Sequence, residues 1–170
     1  MRPLFETVTD LAAGADIVRA RRYGIVVVAE GRLVAVWMWP LPKLLAWPEV
    51  VPVGRRYHAR GPRDRCRLYY NQPWRFPNYL ALRYVVSAAG TSLATFRAAL
   101  SVLDAIAQIK GSDALLCDIA NSRISARLMA RWGWQAHKPG RMHRNYIKRF
   151  YGKYPPIDWS WASHGAPTPP

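Results

Sequence analysis

Residues 79–134 constrain the fold more than any other part of this chain. "YLALRYVVSA" is rich in β-branched and aromatic residues and reads as a strand. After a turn holding one glycine, "SLATFRAALSVLDAIAQIK" places Leu93, Phe96, Leu100, Leu103 and Ala107 three and four residues apart, the period of a helix. Ser92 is positioned to cap that helix, because its hydroxyl can accept an amide of the first turn. Gly111 is positioned to end it, because glycine takes the left-handed conformation beyond a last turn. "DALLCDIA" then reads as a buried strand, and "NSRISARLMARWGW" as a second helix ending at Gly133. On that helix Ile124, Leu128 and Trp132 share one face, and Arg123, Arg127 and Arg131 another. "RNYIKRFYG" alternates Tyr146, Lys148 and Phe150 against Ile147 and Arg149, as a last strand does.

The front of the chain supplies a helix and a hairpin. Residues 8–22, "VTDLAAGADIVRARR", read as a short helix capped by Thr9 or Asp10, with Arg19, Arg21 and Arg22 at the end where cations suit the dipole. "YGIVVVAEGRLVAVWMWP" is two β-branched runs around Glu30-Gly31, which predicts a tight hairpin ended by Pro40. Residues 40–78 break this regularity. They carry seven prolines, and six arginines fall between positions 55 and 67, which predicts a long loop or irregular strands inserted into the domain.

This order predicts an α/β fold, a single mixed, largely antiparallel sheet flanked by helices. Residues 1–155 are read as one domain and 156–170 as a tail that either packs Trp159 and Trp161 or stays loose. A length of 170 residues suits one domain, and a 51% hydrophobic content with eight tryptophans suits a packed core.

Residues 83–134, from "RYVVSAAG" to "RWGW", resemble the second half of the GNAT superfamily of N-acetyltransferases. In that family a strand enters a phosphate-cradling turn, followed by a helix, a strand and a second helix. The second helix begins near an asparagine and ends at a glycine–aromatic pair, places filled here by Asn121 and Gly133-Trp134. The resemblance implies an acyl-CoA-dependent N-acyltransferase with acetyl-CoA or another acyl-CoA as cofactor. It makes Gly90, Thr91, Ser92 and Asn121 the cofactor-binding candidates. Two departures imply a remodelled site. The family's turn offers an Arg or Gln followed by glycines, whereas "SAAGTSLA" has Gly90 alone. The family often places a tyrosine four residues before the terminal glycine as general acid, and here that position is Met129. His137, Tyr84 and Glu30 are then the candidates for proton transfer.

The charge supports an alternative. The chain carries a formal +15, and twenty of its 25 cationic residues are arginine. A field of that sign attracts polyanions. Arg55, Arg56, Arg60, Arg63, Arg65 and Arg67 lie among Tyr57, His58, Tyr69 and Tyr70, and Arg144 and Lys148 lie in the last strand. On one face these would make a strip for nucleic acid, and the chain would be a non-catalytic basic module binding nucleic acid or an RNA-containing partner. Pointing apart, they would only solvate the surface or cover aromatic rings.

Of the two cysteines, Cys117 is expected to be buried and Cys66 to sit in the arginine-rich loop with its pKa lowered by cations. No His or Cys pair has metal-ligand spacing, so no metal site is expected. No run reaches 18 apolar residues, and the N-terminus lacks the apolar core of a signal peptide. A cytoplasmic protein free of membranes is the expectation. The oligomeric state stays open.

Overall fold

The computed structural model describes residues 4–40, 64–88, 90–119, 125–138 and 144–162. The elements are β1 (Glu6–Val8), α1 (Ala15–Ala20), β2 (Tyr23–Ala29), β3 (Arg32–Trp39), β4 (Arg65–Asn71), β5 (Tyr79–Ser87), α2 (Leu93–Lys110), β6 (Ala114–Asp118), α3 (Ala126–Arg131), β7 (Gln135–Ala136) and β8 (Asn145–Arg149). A short 3₁₀ turn, Trp159–Trp161, follows. The strands form one eight-stranded sheet in the order β1-β3-β2-β4-β5-β6-β8-β7. Only β5 and β6 run parallel, joined through α2, and every other neighbouring pair is antiparallel. The mixed, largely antiparallel α/β sheet read from the sequence is the one observed.

Local chemistry explains the regular parts. Glu30 and Gly31 both adopt positive φ, 51° and 74°, which makes the two-residue turn whose twist matches the hairpin. Ser92 Oγ accepts the Thr95 amide at 3.1 Å at the start of α2. Gly111 ends α2 at φ 64°, and Ser112 N–H reaches back to the Ala107 carbonyl at 2.9 Å. The α2 residues that are fully buried include Thr95, Ala99, Val102, Leu103, Ile106 and Ala107, on the side that packs on the sheet. Phe96 and Leu100, which the helical pattern places on the same face as Leu103, are half-buried instead, and Leu93 is exposed. Their stripe turns toward a cleft described below.

Three expectations need correction. Residues 65–71, expected as long loop or irregular strands, form β4, a regular central strand paired with β2 from Tyr23↔Asn71 to Ala29↔Arg65 and with β5 on its other edge. Cys66, Leu68 and Tyr70 point into the core under α2, while Tyr69 joins a second apolar cluster with Tyr23, Ile25 and Val27. The ring of Tyr70 fills the space beside Gly24, where a Cβ would lie 2.5 Å from the Tyr70 hydroxyl. The front helix is only Ala15–Ala20, because residues 6–8 pair with β3 as an edge strand. Asp10 caps a turn ahead of it, its carboxylate accepting the Ala12 amide at 2.8 Å. The second helix begins at Ala126 under a Ser125 cap, and Asn121 lies outside the described residues. In the tail, Trp161 is 1% exposed and packs against α2 and β3. No helix among the described residues is long and apolar enough to cross a membrane.

Candidate functional site

The parallel pairing of β5 and β6 runs from Tyr79↔Ala114 to Leu82↔Cys117 and stops. β5 nevertheless continues to Ser87, held by β4 on its other edge through Leu68↔Val85, Arg67↔Val86 and Cys66↔Ser87. Among the described residues, 83–87 therefore have no strand partner on the side facing β6. The gap is a cleft of about 240 Å³.

Its walls are apolar. Phe96 and Leu100 come from α2, Met129 and Trp132 from α3 and its last turn, and Leu82 and Cys117 from the point where the strands part. The rings of Phe96 and Trp132 meet at 5.3 Å between centroids, tilted by 45°. Gly133 makes this wall possible. At φ 81° it lets its own amide reach the Ala130 carbonyl and the Trp134 amide reach the Met129 carbonyl, each at 3.0 Å, which turns Trp134 back into the cleft. The polar groups at the cleft are the half-buried Tyr84 and the exposed Arg83 and Asp118. Burial, with Asp118 beside it, pushes the Cys117 thiol up to about 12. At neutral pH it is an uncharged wall and not a nucleophile.

The N-terminus of α2 lies within one turn of Phe96, which lines the cleft. Thr91 Oγ1 donates to the Arg65 carbonyl at 2.6 Å. Ser92 donates both its N–H and its hydroxyl to the Asp64 carboxylate, each at 2.8 Å. Gly90 is exposed in the turn. The three residues meant for a phosphate are together, but both hydroxyls are bonded to the chain itself.

Of the candidates for proton transfer, only Tyr84 lines the cleft. Glu30 is exposed at the hairpin tip, and His137 follows β7 with its amide on the Asn145 carbonyl at 2.9 Å. Sequence reasoning passed over Asp64, Trp132 and Phe96 as site residues. Trp132 and Phe96 were visible as helix-face aromatics, but nothing local showed that the strands would part beneath them.

The cationic candidates do not form a described strip. Arg55, Arg56, Arg60 and Arg63 lie outside the described residues, as do Tyr57 and His58. Arg65 and Arg67 are half-buried in β4, with Arg67 stacked 5.0 Å over the Trp37 ring. Arg144 is half-buried, and Lys148 is ion-paired with Asp104 at 2.6 Å. Cys66 overturns its expectation outright. It is fully buried in β4, and burial together with Asp64 pushes its thiol up to about 12 rather than down. Among the described residues no three His, Cys, Asp or Glu side chains gather to hold a metal.

No protein-family model and no curated protein matches this chain. Among solved structures, the crystal structure of nourseothricin acetyltransferase is similar over 86% of this chain and 99% of that one, at 11% identity and a TM-score of 0.38. A likeness this distant carries no information on function.

Proposed function

We propose that the cleft takes the acyl-thioester arm of an acyl-CoA, and that the chain is an N-acyltransferase of the GNAT kind. The observation that carries this is the missing strand. Among the described residues no strand lies against the edge of residues 83–87 that faces this apolar gap. An extended arm bearing amides can occupy that edge as a strand would, hydrogen-bonding to the backbone groups of residues 83–87. The walls of Phe96, Leu100 and Trp132 then shield the thioester from hydrolysis. So the arm fits. The phosphates of the cofactor do not fit the turn, where Asp64 already holds Ser92.

An acyl-CoA supplies an activated acyl group as a thioester. The amine that receives it must lose a proton, and the departing sulfur gains one. Asp118, at the mouth, is placed to accept the first. Met129 cannot give the second, which leaves the Tyr84 hydroxyl as the donor lining the cleft.

The binding half of this proposal is tested by thermal shift and calorimetric titration with acetyl-CoA and S-acetylpantetheine, on the natural chain and on Leu100→Trp. The natural chain is expected to be stabilised by roughly 2.7 kcal/mol at about 100 times the dissociation constant. Leu100→Trp, which fills the cleft, is expected to weaken binding about tenfold or more while leaving circular dichroism unchanged. No response to either thioester at millimolar concentration rejects the acyltransferase. A response to short RNA alone, lost as salt rises, replaces it with the polyanion-binding module. For the chemistry, Tyr84→Phe is expected to lower turnover roughly 100-fold with binding unchanged, the usual size of a lost general acid. Unchanged turnover removes Tyr84 from the mechanism.

A further inference from the structure

Asp64, immediately ahead of β4, closes the N-terminus of α2 from inside. One carboxylate oxygen accepts the Ser92 amide at 2.8 Å. The other accepts the hydroxyls of Ser92 and Thr95, both at 2.8 Å. Thr95 is fully buried, and its hydroxyl in turn accepts the Gly31 amide at 2.8 Å. The Asp64 carbonyl takes the Glu30 amide at 3.0 Å. The carboxylate is thus fixed by the helix and by the β2–β3 hairpin together. Desolvation works against its charge, but the hydrogen bonds from Ser92 and Thr95 outweigh it and hold the carboxyl below its ordinary value. It is an anion at neutral pH.

A helix N-terminus attracts an anion because its first amides are unpaired and the dipole is positive there. In this chain the anion is already part of the protein. We infer that Asp64 denies this helix N-terminus to a phosphate, so that the ligand of the cleft is held by its uncharged, apolar arm alone. The inference rests on the acyl-thioester reading of the cleft and narrows it to donors selected without their nucleotide. A phosphate brought to the same amides would meet the like charge of Asp64 at hydrogen-bonding range, and the nearby Thr91 hydroxyl is bonded to the Arg65 carbonyl. Donors that lack the nucleotide, pantetheine thioesters and shorter ones, are then bound as well as acetyl-CoA.

The test titrates the natural chain and Asp64→Asn with S-acetylpantetheine, acetyl-CoA and inorganic pyrophosphate. About 1 M salt shortens the Debye length to roughly 3 Å and screens diffuse attraction to the positive chain. The natural chain is expected to bind the two thioesters within tenfold of each other and to show no thermal shift with pyrophosphate. Asp64→Asn keeps the shape and removes the charge, and is expected to bind acetyl-CoA about tenfold tighter with S-acetylpantetheine unchanged. Acetyl-CoA binding to the natural chain tenfold or more tighter than S-acetylpantetheine overturns the inference. If neither thioester binds, the acyltransferase reading falls, and pyrophosphate still decides the role of Asp64. Stabilisation of Asp64→Asn but not of the natural chain supports it, and any other pattern overturns it. Should Asp64→Asn fail to fold, Asp64→Ser, which also removes the charge, takes its place.

Discussion

Lys148→Met is expected to destabilise the protein by roughly 3–5 kcal/mol, the cost of stranding a buried charge. For a chain of this size that lowers the melting temperature by roughly 6–20 °C. Lys148 on β8 reaches Asp104 on α2 at 2.6 Å, and each side chain is only 13% exposed. Burial raises the Asp104 pKa, and the charge and hydrogen bond of Lys148 pull it back only in part. Without Lys148 the carboxyl must either ionise in the core or hold a proton. The sign of the pH dependence follows. A carboxyl whose folded pKa lies above its unfolded value favours the folded state below the unfolded value, and that advantage is lost as pH rises through the folded value. The penalty of Lys148→Met is therefore expected to shrink as pH falls toward 4 and to be largest at neutrality. Denaturant titrations at several pH values measure this. Adding Asp104→Leu is expected to recover most of the loss, since an apolar pair can replace a buried ion pair at little cost. A loss that does not vary with pH, and that Asp104→Leu does not repair, places the effect in packing and not in charge.

The same pair shows where sequence reading stops. Lys148 alternates with Ile147 in "RNYIKRFYG" and looks like an exposed cation, because its partner lies 44 residues away. Ser92 and Gly111 were legible, since a cap and a left-handed stop are decided within a few residues. The hairpin turn at Glu30-Gly31 was legible for the same reason. β4 was hidden by its own composition. "RCRLYYN" alternates correctly, but the arginines that face away from α2 stand in a run of arginines and prolines that reads equally as loop or irregular strand. The cleft was not legible at all, because it exists only where β5 outruns β6, a fact of register between two strands. Asp64 was missed likewise, 28 residues from the Ser92 it holds.

Trp161→Ala is expected to cost roughly 3–5 kcal/mol, as loss of a fully buried large aromatic side chain does. Trp161 is 1% exposed, and Trp159 lies against it at 5.0 Å between ring centroids. Its indole N–H donates to Ser101 Oγ at 3.1 Å, and Ser101 Oγ donates to the Asp158 carbonyl at 3.3 Å, so the hydroxyl ties the tail to α2. Removing the ring leaves a cavity beside α2 and the half-buried Ser101 hydroxyl with one partner fewer. Ser101 is next in sequence to Leu100, whose side chain lines the cleft. Loosening this turn of α2 is therefore expected to weaken thioester binding as well as stability, with Trp161→Phe retaining most of both. Trp74→Ala is the control. Trp74 is 58% exposed with Arg22 stacked 4.2 Å over its ring, and its loss is expected to change stability by no more than about 1 kcal/mol. Equal effects of the two substitutions in thermal denaturation exclude the tail from the core. The expected difference makes residues 157–161 part of the wall that keeps α2, and with it the cleft, in place.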